Sequence, residues 1–469
     1  MKRKRKNTKI WSKKKKTGFR PFLFILLSLI IILPVAWIMT FRLEGGKPSV
    51  RTGLSSPFIG VSQELSGTVT DKRSGVRKLW IGLLKEGKEV VLMEKDFPPA
   101  GFIRGGMVHE ESFKIMINPK LLGFTDGKAI LRMSVWDYSW RGWLHGNRTD
   151  IEKEITIDTK PPEVDILTLR HNISQGGAGL VVFRVSEPDT KSGVSVGGNF
   201  FPGHSGYFKD DDIFMAFFAL NYDQGPDTQI FVKATDPAGN SARAGFPYYI
   251  KKKVFKKDVI NLSDTFLNRN MPDFYNNNIQ NSQVSMLEKF ISVNSNLRQA
   301  NTKKIKDQCK NTEKTLYWEG AFLRLPGSAT RAGFADHRSY RYKGDIIDRQ
   351  VHMGIDLASV SHSPVPAANR GKVVFTETVG IYGKTIIIDH GFGLFSSYSH
   401  LSHMGVQKGQ MVSKGEIIGR TGTTGLAVGD HLHFGMVVHN TFVNPLEWWD
   451  MSWIENNVLT RIKNVKSGE

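Results

Sequence analysis

His352-Met-Gly-Ile-Asp356, Tyr398-Ser-His-Leu401, the glycine-punctuated run from Gly409 to Gly425, and His431-Leu-His433-Phe434 follow one another within about eighty residues near the end of the chain. Their side chains are those of a metal-hydrolase site. Three His or Asp ligands leave one position of a tetrahedral zinc open, and an open position separates a catalytic site from a closed structural one.

Strand geometry tests the spacing. His431 and His433 flank one apolar residue and precede Phe434, Met436 and Val438, so on a strand both imidazoles point to one face. His352 and Asp356 are four apart; on a flat strand that is roughly 13 Å at about 3.3 Å per residue, too far for one ion. The chain must therefore bend there. Gly354 offers the freedom for a bend or bulge, and a helical turn would also bring the pair to one face. Spacing alone does not choose.

These residues carry a resemblance. The segment from about Arg324 to Trp449 resembles the lysostaphin-like, LytM-type zinc metalloendopeptidases that cut peptidoglycan. In that family HxxxD gives two metal ligands and the second His of HxH the third, which correspond to His352, Asp356 and His433. The His of YxHL and the first His of HxH, here His400 and His431, stand beside the metal-bound water. The intervening text agrees: Pro364-Val-Pro-Ala367, Gly371-Lys-Val373, Ile386-Ile-Ile-Asp-His-Gly391, Gly415-Glu-Ile-Ile-Gly419 and Thr423-Thr-Gly425. Two positions depart. Phe434-Gly-Met436 lacks the acidic residue often found after HxH, and Phe334-Ala335 replaces a Phe-Gly pair; neither is a metal ligand.

The resemblance implies one Zn2+ per chain, which lowers the pKa of its water and polarises the scissile carbonyl. One of His400 and His431 would then act as general base and the other would serve the tetrahedral intermediate. His362, His390, His403 and His439 match no ligand position and read as structural or surface residues. Gly383-Lys-Thr385 lacks the earlier glycine of a phosphate loop, since position 378 is Thr.

The other end of the chain bears on location. Residues 1–20 hold eleven Lys or Arg and no Asp or Glu, and Pro21–Phe41 is 21 residues without a charge. About 20 apolar residues span a bilayer. A cleaved secretory signal has a shorter apolar region and a small-residue cleavage site; this run ends in Trp-Ile-Met-Thr-Phe-Arg42, so it reads as an uncleaved single-pass anchor. The basic flank stays cytoplasmic, which places the rest in the periplasm or outside, on the inner membrane. That flank also takes eleven of the formal +20 charges. Its place against a span points to lipid rather than nucleic acid. The single cysteine, Cys309, excludes an internal disulfide.

The expected fold class is mainly β. Ser66–Thr70, Val76–Gly82, Ala129–Trp136 and Ile155–Ile157 alternate with period two. Asp71-Lys-Arg-Ser-Gly-Val76 recurs as Asp189-Thr-Lys-Ser-Gly-Val194, and the Asp after each later strand recurs as Asp137 and Asp236. Asp236-Pro-Ala-Gly-Asn240 and the Asp158-Thr-Lys-Pro-Pro162 joint resemble those of bacterial immunoglobulin-like repeats. The expected order is a basic segment 1–20, a transmembrane helix 21–41, two immunoglobulin-like sandwiches at 48–158 and 159–252, a helical connector 254–320, an antiparallel peptidase domain 321–450 and a tail 451–469. Val284, Leu287, Ile291 and Leu297 give the connector its helical spacing. It docks on the peptidase, or covers its groove. Asp210-Asp-Asp212 reads as a solvated turn.

The expected function is hydrolysis of peptidoglycan peptide cross-links by a membrane-anchored zinc endopeptidase. A non-catalytic wall-binding or amidase-activating relative is the alternative, and an adhesin a third.

Overall fold

A computed structural model of the chain describes residues 19–54, 56–274 and 284–468. Residues 1–18, 55, 275–283 and 469 lie outside them. The chain divides into two compact units, Met1–Lys160 and Pro161–Glu469.

The first unit begins with the helix Phe19–Arg42, which contains Pro34. Within its stretch Phe22–Arg42 an apolar window of mean hydropathy 2.9 contains no buried residue. It is long and apolar enough to cross a membrane. The remainder holds two larger sheets over one core and a two-stranded ribbon, Pro99–Gly101 with Gly105–Gly106. Ser49–Thr52, Gln63–Thr70 and Glu110–Ile117 form the smaller sheet; Phe58–Ile59, Arg148–Ile157, Gly127–Asp137, Val76–Lys85 and Lys88–Asp96 form the larger. The alternation read in the sequence is the burial pattern. Leu79, Ile81 and Leu83 face Leu65, Val69 and Ile117 inside, together with Leu131, Met133 and Val135.

In the second unit one hydrophobic core runs from Ile173 to Val465. Its sandwich strands include Ala178–Val185, Lys191–Val196, Ile213–Ala219 and Ile230–Thr235. Ile213–Ala219 is buried at every position because one face closes the sandwich and the other packs on the strands Leu432–Val438 and Thr441–Val443. A strand covered on both sides loses the polar alternation of a half-exposed one. The Asp236 turn is closed by its own carboxylate, which accepts from the backbone N–H and the side-chain amide of Asn240, each at 2.8 Å.

The C-terminal sheet is antiparallel, in the order Ala329–Ala332, Ile355–Ala358, Leu432–Val438, Leu394–Leu401, Gly383–Asp389, Gly371–Val379, Met411–Val412, with Thr441–Val443 beside Leu432–Val438. The connector is helical over Met286–Ser292 and Arg298–Gln308, joined by a π turn. It is not helical throughout. Lys257–Leu262 is a strand, parallel to His337–Tyr342, and Asp264–Asn270 is a short helix. Residues Met451–Lys466, beyond the sheet, are helical and pack on the strand Ala178–Val185.

Candidate metal centre

Antiparallel register sets Asp356 directly opposite His433. Such pairs hold their Cβ atoms about 4.5–5.5 Å apart. On its other side His433 faces Ser399, which brings His400 to the end of the adjacent strand. His352 follows the strand Asp345–Val351, and a bend at Gly354 returns the chain so that His352 Nε2 lies 2.9 Å from Asp356 Oδ1. The bend is present, but Gly354 is needed there for space rather than for a left-handed backbone. Its φ is not positive, and a Cβ would stand 2.6 Å from His433 Nε2 and 2.7 Å from the Phe434 carbonyl oxygen.

Three donor atoms converge. His433 Nδ1 lies 3.0 Å from His352 Nε2 and 2.9 Å from Asp356 Oδ1. His352 Nδ1 lies 2.8 Å from the Gly333 carbonyl oxygen, a contact that orients the ring with Nε2 turned inward. Two imidazole nitrogens turned toward one carboxylate oxygen form a set that a proton or a metal cation can occupy. A tetrahedral zinc with bonds of about 2.0–2.1 Å spaces its ligands by roughly 3.3 Å, so the 2.9–3.0 Å triangle needs only slight opening to hold one. The His2Asp set thus fits a divalent cation in size and chemistry.

Two more imidazoles face this triangle. His400 Nδ1 donates to the Thr424 carbonyl at 2.8 Å and His431 Nδ1 to the Gly429 carbonyl at 2.7 Å, leaving both Nε2 atoms for the site. Their ring centroids are 4.8 Å apart. His400 has φ +61°, a left-handed backbone that is strained in a non-glycine residue and that clusters at functional sites. Burial and the neighbouring His431 and His433 push its pKa down to about 3. Burial also lowers His433, to about 4, against the pull of Asp356. At His431 the hydrogen bond and charge of Asp356 outweigh burial and raise the pKa. Burial raises Asp356, but the charge of His352 and hydrogen bonds from His352, His431 and His433 leave it well below the usual carboxylate range.

The structure thus gathers His352, Asp356, His400, His431 and His433 around one cavity of about 520 Å³. His390 is buried between the Arg370 carbonyl and Ser396, His439 stacks on His204, and His362 bonds Ser402. None joins the triangle. Sequence reasoning missed Arg338, whose Nη2 donates to Asp356 Oδ2 at 3.0 Å and holds the carboxylate's other oxygen to the donor centre. Its signal was weak: one Arg on an alternating strand, eighteen residues before its partner. It also missed the connector's Ile260, Leu262 and Phe266, which line the cavity.

A buried pair of imidazoles and a carboxylate, faced by two further imidazoles, has the side-chain inventory of a mononuclear metallopeptidase. Residues 350–445 match Peptidase family M23, and the chain carries an M23 peptidase domain of the LytM type at its C-terminal end. It is 38% identical over 156 residues to the peptidoglycan DD-endopeptidase ShyA of Vibrio cholerae, covering 31% of this chain and 36% of that one. It is 34% identical over 133 residues to the DD-carboxypeptidase/endopeptidase Mpg of Neisseria meningitidis, covering 28% and 30%. The chain therefore spans about a third of the length of these curated relatives. Among solved structures, the catalytic domain of lysostaphin from Staphylococcus simulans is 28% identical over 28% of this chain and 98% of that domain, with a TM-score of 0.24.

Proposed function

We propose that the chain is a membrane-anchored zinc endopeptidase that hydrolyses peptide cross-links of peptidoglycan. The observation that carries this reading is the 2.9–3.0 Å triangle of His352 Nε2, Asp356 Oδ1 and His433 Nδ1 with two imidazoles turned toward it. The names of the M23 relatives support the substrate. His352, Asp356 and His433 would hold one zinc per chain. When bound, that ion supplies a lowered pKa for water and polarises the scissile carbonyl. The chain's own part is proton handling. His400 and His431, fixed through Nδ1, present two Nε2 atoms, one to take the proton of the attacking water and one to donate to the oxyanion.

The helix Phe19–Arg42 supports an anchor, and the basic residues ahead of it a cytoplasmic N-terminus with the peptidase in the periplasm or outside. The units at 48–158 and 159–252 are read as immunoglobulin-like spacers. Purified wall is digested with the full chain and the fragments are identified by mass spectrometry, beside a chelated sample and His431→Ala. New muropeptides from the untreated protein alone are expected. Failure to release fragments from any wall would replace this reading with a non-catalytic one.

A further inference from the structure

The edge strand Ala329–Ala332 pairs with Ile355–Ala358 through an irregular register. Thr330 faces Leu357 and Ala332 faces Asp356, so Arg331 is the extra residue of a bulge one step from a donor of the triangle. A bulge releases a residue from the ladder and re-aims its side chain. Arg331 lines the cavity that holds the five site residues and is exposed to solvent. The other guanidiniums on that wall are engaged: Arg338 with Asp356 at 3.0 Å, and Arg298 with the carbonyl and side-chain oxygens of Asn294. The remaining carboxylates are engaged as well. Asp430 accepts from Thr421 and Ser361, and Asp258 pairs with Lys256. Among the described residues no carboxylate pairs with Arg331.

An unpaired guanidinium at the rim of a reaction cavity is a receptor for a planar anion, because its fork of N–H groups matches a carboxylate in two parallel hydrogen bonds. We propose that Arg331 is a specificity-determining residue that binds a free carboxylate of the substrate peptide next to the scissile bond. The inference rests on the hydrolase reading above and narrows it. The substrate is then a directly cross-linked stem built from acid-bearing residues, and a neutral oligoglycine bridge is a poor one.

The test compares the full chain on a dimeric muropeptide with free carboxylates, on the same dimer after carboxyl amidation, and on an oligoglycine-bridged dimer. A charge-assisted bidentate contact is expected to give the acid form an advantage of about tenfold or more in kcat/KM, carried mainly by KM. Arg331→Gln should abolish the preference, and Arg331→Lys should keep part of it. Because the ratio is taken within one protein, a general loss of activity leaves it unchanged. Equal rates on acid and amidated dimers, or an undiminished preference in Arg331→Gln, overturn the inference and leave the hydrolase reading standing. No cleavage of any dimer by the unaltered chain overturns both. If Arg331→Gln does not fold, the unaltered ratio and Arg331→Lys decide.

Discussion

His433 is held by neighbours on every side, and the order in which they were visible differs. Asp356 and His352 were legible as a spaced motif, because short-range patterns survive in one dimension. Gly354 was legible as a glycine but for the wrong reason: the ring of His433 occupies the volume of its missing Cβ. Gly354→Ala is expected to cost about 1–3 kcal/mol through overpacking, read as a lowered Tm, and to weaken metal uptake. Arg338 was not legible at all, since its contact with Asp356 depends on the pairing of distant strands. Partners that orient a ligand typically account for 10–100-fold in metal affinity, so Arg338→Ala should weaken zinc binding by about that factor in a competition titration. The ligands and the reacting pair should separate in the same way. His352→Ala is expected to lose the metal, whereas His431→Ala keeps it and loses turnover; equal zinc loss in both would sink the assignment.

At the scale of elements, the connector is a wall of the site. Its helix Arg298–Gln308 is fastened to the 3-10 turn Gly380–Tyr382: Asn301 Oδ1 accepts from the Ile381 N–H at 2.9 Å, and Thr302 Oγ1 lies 3.1 Å from the Tyr382 hydroxyl. The Tyr382 ring then stands 5.6 Å from that of His433. Asn301→Ala leaves a buried N–H without its acceptor. That loss should cost about 1–3 kcal/mol in a denaturant titration, and the freed turn should disturb packing at His433. The helical half of the connector was visible in the spacing of Leu287, Ile291 and Leu297. The strand Lys257–Leu262 was not, for a physical reason. It pairs in parallel with a segment some eighty residues away, so no hairpin turn announces it, and Lys-Asp-Val-Ile-Asn-Leu does not alternate in polarity although its burial does.

Across the second unit, the sandwich and the peptidase share a core that composition gave no means of joining, because burial on both faces erases the pattern by which a strand names its partner. Glu447 stands at that junction. It follows the last strands of the peptidase, and its carboxylate accepts from the backbone N–H of Ala178 in the sandwich at 2.9 Å. Burial pushes its pKa from an ordinary 4.5 up to about 7, with the Ala178 hydrogen bond opposing. A raised carboxyl binds its proton more tightly folded than unfolded, so its stabilising contribution is full below about 4.5 and is lost as pH rises to about 7. The whole-chain profile also contains buried histidines of opposite sign, such as His171 lowered to about 3 by burial and Arg461, which favour the fold as pH rises. A difference experiment removes them. Glu447→Gln keeps the neutral shape without the titration, so the stability of the variant relative to the unaltered chain should climb between about pH 4.5 and 7, by roughly 3 kcal/mol at most, and be level above. A difference that is flat across that window would mean that the carboxyl is solvated, and that the junction between sandwich and peptidase opens in solution.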